Sequence, residues 1–222
     1  TPTSFQFCLK LPRTVSHYGL LAPKIEQTQR FLDLTAPLGP RLGPYFTVLS
    51  PSYGPERLRD LASFLAAWPT THRLAVEVRN GGWFHEPHRQ RLNDLLHQHG
   101  VARVLLDTRP VYQGGPDPQA TCERKKPQLP LNLALTAPFT MVRLITHIDP
   151  AKNRRWIEEW VPTVANWLRA GTQVYYFVHC PIEDSSPTTL RNFYHQLQAT
   201  DVDLPQLPWD ALPEPPRQLA LI

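Results

Sequence analysis

The chain has 222 residues, 41% of them hydrophobic and 19% charged, with a formal net charge of +4. That is enough apolar material for one sizeable core, while no apolar run reaches the ~18 residues of a membrane span and the N-terminus lacks a signal-peptide pattern. The mild basicity favours an anionic partner without naming one.

Strand-like runs are expected at residues 5–11, 45–50, 74–80, 102–108, 140–147 and 173–179, with helical patterns between them. The first run ends on Lys10, which shares a face with Gln6 and Cys8. After the second, Pro55 stands at a favoured first helical position, and Leu58, Leu61, Leu65 and Trp68 follow at helical spacing. In the third run Glu77 and Arg79 lie on one face and Leu74, Val76 and Val78 on the other. Burying a charge without a partner costs several kcal/mol, so a Glu and Arg sharing a buried face predict a pair with a purpose. Asn80, Gly81, Gly82, Trp83 and Phe84 come next, the kind of segment that builds a ligand site at a strand's C-terminal end.

A helix carrying Leu92, Leu95 and Leu96 stops at Gly100, where a left-handed residue is wanted, and the fourth strand ends on Asp107. Residues 109–138 break the rhythm with prolines, with Gly114 and Gly115, and with the basic run Arg124, Lys125 and Lys126; a long connection at this end of a strand predicts a lid or binding loop. Arg143 and His147 share a face of the fifth strand. Asp149 and Pro150 then open a helix through Trp156, Trp160 and Trp167, with a kink expected at Pro162, and Gly171 closes it. His179 ends the sixth strand, and Ser186 and Pro187 begin a last helix. We expect one domain over residues 1–200 and a proline-rich tail over 201–222.

Strict alternation of strand and helix implies right-handed βαβ units and a parallel sheet, whose ligands bind at the C-terminal strand ends. Lys10, Arg79 and Arg143 are three cations at that end, suited to a phosphate, a carboxylate or a nucleic-acid backbone. Taken singly, each polar residue has a plainer explanation. Glu77 with Arg79 can be an internal ion pair, Asp107 a turn cap, Lys125 part of a solvated face, and His147 and His179 hydrogen-bonded structural histidines. Their shared placement is what raises the functional reading.

A thiolate metal site is not indicated, because Cys8, Cys122 and Cys180 are odd in number and form no CxxC pair; they predict a reducing, cytoplasmic setting instead. His85 and His88 are separated by Pro87, which rules out HExxH spacing on a helix. A scattered divalent-metal set of Glu77, Asp107, His147 and His179 is compatible with the strand ends, and spacing alone neither supports nor removes it. No phosphate-loop, dinucleotide or nucleophile-elbow pattern is present, so no nucleotide cofactor is expected.

The order Lys10, Pro12, His17, then Glu77 and Arg79 with Trp83 and Phe84, then Asp107, resembles the YecE-like proteins, known as domain of unknown function 72. The run FQFCLKLPRTVSH from Phe5 to His17 resembles the segment opening the third strand of that family. Leu106, Asp107, Thr108, Arg109 and Pro110, with Arg124, Lys125, Lys126 and Pro127 after them, look like its enterobacterial type. The resemblance implies a TIM-like (β/α) barrel of unestablished role, with recurrent polar residues at Lys10, Glu77, Arg79, Asp107 and Arg143. Two departures stand out: the family's Arg-x-His-Gly reads Arg143, Leu144, Ile145 and Thr146 here, and its asparagine after the eighth strand is replaced near His179 and Cys180.

On this reading the six strands correspond to strands three to eight of an eight-stranded barrel, so the barrel is incomplete. The first residue is Thr1 and the only methionine is Met141, which together suggest a fragment. The expected function is capture of a phosphate-bearing or other anionic ligand at the barrel mouth, with hydrolysis as a further step. Lys10, Arg79, Arg143, His17, Trp83 and Lys125 would bind the ligand, and Glu77 or Asp107 would serve as general base. The alternatives are a non-catalytic nucleic-acid-binding module working through the Lys125 loop, and a metal-dependent barrel hydrolase or isomerase.

Overall fold

The computed structural model describes residues 4–115, 119, 125–181 and 183–207. Arg124, Cys122 and all of the expected tail beyond residue 207 lie outside that set. Five parallel strands form one sheet in chain order: β1 Tyr45–Val48, β2 Leu74–Glu77, β3 Ala102–Asp107, β4 Phe139–Ile145 and β5 Gln173–His179. Helices α3 Leu58–Ala66, α4 His88–Gln98 and α6 Arg154–Arg169 occupy the connections, as parallel pairing requires. α7 Ser186–Gln198 follows β5. Before β1 come the short α1 Arg13–Ser16 and α2 Ile25–Thr35, and α5 Arg109–Gln113 follows β3.

The first expected strand, residues 5–11, is a correction. It runs beside β1 but makes only two isolated parallel bridges, Phe7 with Leu42 and Lys10 with Phe46. β1 to β4 also stop earlier than expected, β2 at Glu77, two residues short of Arg79, while β5 spans Gln173–His179 as expected. α6 runs unbroken from Arg154 to Arg169 with Pro162 inside it. The helix ends at Gly100 and Gly171 do adopt positive φ, 63° and 81°.

Two apolar layers result. On the outward side Leu74, Val76 and Val78 pack with Leu61, Phe64 and Leu65 of α3 and with Leu92 and Leu96 of α4. Leu105, Val142 and Leu144 pack likewise under Ile157, Trp160 and Val164 of α6. On the inward side smaller residues, Ala75, Ala102, Val104 and Met141, meet Cys8, Phe46, Tyr175 and Phe177.

That inward layer shows how the sheet curls. Tyr175 of β5 donates to Gln6 Oε1 at 2.7 Å, joining the last strand to the segment beside the first. Arg73, just before β2, reaches Gln173 at the start of β5 and lies over the rings of Phe139 and Tyr175. These contacts form a floor at the N-terminal strand ends; the opposite end, where the strands' C-termini lie, is the mouth of the curled sheet.

Candidate functional site

Glu77 is fully buried and faces inward from the last position of β2. Its Oε1 accepts from Arg79 Nε at 2.8 Å, and its Oε2 from Arg143 Nη1 of β4. Burial pushes the carboxyl up, but the Arg143 and Arg79 guanidinium groups beside it outweigh that and hold it below the usual range. Arg143 is buried and lies with its Cζ 5.8 Å from the centre of the Phe46 ring.

Two lysines complete the mouth. Lys10 is bridged through its backbone to Phe46 and exposed at the rim. Lys126 arrives from the connection ahead of β4 and is half-buried. Both are lowered from the ordinary lysine range, first by burial and then by the Arg79 and Arg143 charges. On the β5 side, Arg143 Nη2 lies 3.3 Å from His179 Nε2, and His179 Nδ1 lies 3.3 Å from Glu183 Oε1. Ser186 Oγ donates to the other Glu183 oxygen at 2.7 Å.

Of the residues expected in the site, Lys10, Glu77, Arg79 and Arg143 come together. Asp107 does not. The β3–β4 register pairs Leu106 with Arg143 and Asp107 with Leu144, so Asp107 points outward, toward α6. There its oxygens accept from the Arg109 backbone N–H, Arg109 Nε and Nη2, and Trp160 Nε1, at 2.8–3.0 Å. Trp83 also leaves the expected site: it is fully buried in the outward core and donates from Nε1 to Tyr53 O at 2.7 Å. His17 caps α1, with Nδ1 2.7 Å from Ser16 Oγ, and Lys125 is exposed beside the inward-reaching Lys126.

The scattered metal set is not assembled either. Asp107 is on the far face, and His147 is tied to its own loop, its Nδ1 accepting from Asp149 N at 2.9 Å. Among the described residues no three His, Cys, Asp or Glu side chains are grouped to hold a metal ion. None of the described helices is long and apolar enough to cross a membrane.

Sequence reasoning missed Lys126 and Glu183 as mouth residues. Glu183 had a faint signal, standing four residues after a strand-ending histidine. Lys126 had none that separated it from Lys125, since which of two adjacent lysines turns inward is a property of the loop's path.

Comparison with known proteins bears on this fold. The family described as Protein of unknown function DUF72 matches residues 1–213. UPF0759 protein YecE of Escherichia coli is 35% identical over 224 residues, an alignment covering 100% of this chain and 80% of that protein. The crystal structure of a DUF72 family protein from Enterococcus faecalis superposes with a TM-score of 0.62 at 16% identity, covering 93% of this chain and 80% of that one. One from Thermotoga maritima gives 0.61 at 19% identity, covering 89% and 75%. With the match running almost end to end and solved members sharing the curled parallel sheet, the chain belongs to the DUF72 family.

Proposed function

We propose that the curled sheet is part of a TIM-like barrel whose C-terminal mouth captures a phosphate-bearing anion. The observation that carries this reading is the charge imbalance: among the described side chains, Lys10, Arg79, Lys126 and Arg143 face Glu77 and Glu183. Cations brought together with too few carboxylates are costly unless an anion joins them, and guanidinium groups suit a phosphoryl group with several oxygens. Glu77 serves this reading as an anchor. With both oxygens accepting from guanidinium groups it holds Arg79 and Arg143 in place, and the same two charges, which keep its carboxyl below the usual range, make it a poor base.

The test is a thermal-shift titration with inorganic phosphate. Ligand at a hundredfold its Kd stabilises by about 2.7 kcal/mol, so Tm rises with concentration. Arg79 is partly exposed, and Arg79→Ala should fold and lose most of the rise. An unchanged Tm in the wild-type protein, or an equal rise in Arg79→Ala, would overturn the proposal.

A further inference from the structure

The mouth contains a proton-transfer arrangement that anion capture alone does not require. A guanidinium only donates hydrogen bonds and a carboxylate only accepts them. His179 sits between one of each: Nε2 faces Arg143 Nη2 at 3.3 Å and Nδ1 faces Glu183 Oε1 at 3.3 Å. The ring is therefore neutral, with its hydrogen on Nδ1 and its lone pair on Nε2. Glu183 is itself held from behind by Ser186 Oγ, at 2.7 Å, and by the Cys180 backbone N–H. The imidazole is thus oriented by a fixed carboxylate, and its free nitrogen is turned toward the cations.

We propose that His179 is the group that matches the mouth to a dianion, taking up one proton at Nε2 when a phosphomonoester dianion binds, keeping it, and donating a hydrogen bond from that N–H to a phosphoryl oxygen. This rests on the anion-site reading above and adds the charge state of the ligand. A phosphoryl oxygen accepts from Arg143 Nη2 in place of Nε2. The freed lone pair takes a proton from the buffer, the new N–H bond forms with no bond broken in the ligand, and Glu183 faces the resulting imidazolium across Nδ1. Among the described residues the charged groups around the ring are Arg143 from β4, Lys126 from the loop ahead of β4, and Glu183 from the turn after β5. In the free protein, burial first and then Arg143 hold His179 below the ordinary histidine range, with Glu183 opposing them, so the ring starts unprotonated near neutral pH.

Sulfate is the probe, because it stays a dianion at neutral pH and carries no proton of its own. Calorimetric titration at pH 7 in two buffers of different ionisation enthalpy counts the protons taken up on binding. Uptake on the order of half a proton or more per sulfate is expected. It should vanish in His179→Gln while sulfate still binds, and fall by more than half in Glu183→Gln. In the wild-type protein, the Nε2 nitrogen-15 resonance of His179 should move from the unprotonated to the protonated position as sulfate is added, a readout that needs no variant. Sulfate binding without proton uptake, or uptake that persists in His179→Gln, overturns this inference and leaves the anion site standing. No binding of sulfate or phosphate at all overturns both.

Discussion

Glu77→Gln is expected to destabilise the protein by about 3–5 kcal/mol, the usual cost of removing one partner from a buried charge pair. The loss comes less from the attraction forfeited than from what is left behind. Arg143 stays buried with no carboxylate beside it, and since Gln keeps a single acceptor oxygen, one of the two guanidinium groups faces an NH2 donor in its place. A fall in Tm of roughly 10 °C should be seen by calorimetry. If the stranded guanidinium is the cause, adding Arg143→Met to Glu77→Gln should recover part of the loss. A drop of only a degree or two would mean that the pair does not order the mouth.

The same pair sets an acid limit. Glu77 titrates lower in the folded protein than the ~4.3 of an unfolded glutamate, so its stabilising contribution is complete above that value. It is lost as pH falls through the lower folded value. Wild-type stability should therefore decline below about pH 4 with a component that Glu77→Gln lacks.

The second large effect falls on the opposite face. Asp107→Asn should cost about 3 kcal/mol, because one acceptor oxygen becomes an NH2 group aimed at donors that are already in place. Those donors are Arg109 and the Trp160 indole, gathered around a side chain with no exposure to solvent. The phosphate-induced rise in Tm should nevertheless survive in this variant, since Asp107 points away from the mouth. Loss of that response in a folded Asp107→Asn protein would contradict the β3–β4 register.

Glu77 and Asp107 look alike in the sequence, each a carboxylate at the end of an apolar strand, and they end on opposite sides of the sheet. In residues 74–79 the alternation is readable because Glu77 and Arg79 are both charged and Leu74, Val76 and Val78 are not, so the common face of the pair follows from strand geometry. Residues 104–107 run Val, Leu, Leu, Asp, with apolar residues on both faces, as strands covered on both sides do. Nothing local then says which way Asp107 points. Register with Arg143 and Leu144 decides it, and that register belongs to a pairing of segments almost forty residues apart. Trp83 was misplaced for a related reason. A large aromatic beyond a strand end can line a site or seal a core, and the choice depends on whether its indole finds an acceptor; here Tyr53 O provides one.

The sequence by itself determined the order of the five sheet strands and of the helices α3, α4, α6 and α7, the parallel α/β character, the helix ends at Gly100 and Gly171, and the shared face of Glu77 with Arg79. Each of these follows from spacing or backbone preference within a few residues. Only the tertiary structure decided that residues 5–11 make bridges in place of a strand, that Asp107 and Trp83 face the helices, and that Lys126, His179 and Glu183 join the cations of the mouth. These are the outcome of sheet curl, register and loop path, which bring together side chains separated by tens of residues, and such convergence leaves no periodic mark on the chain.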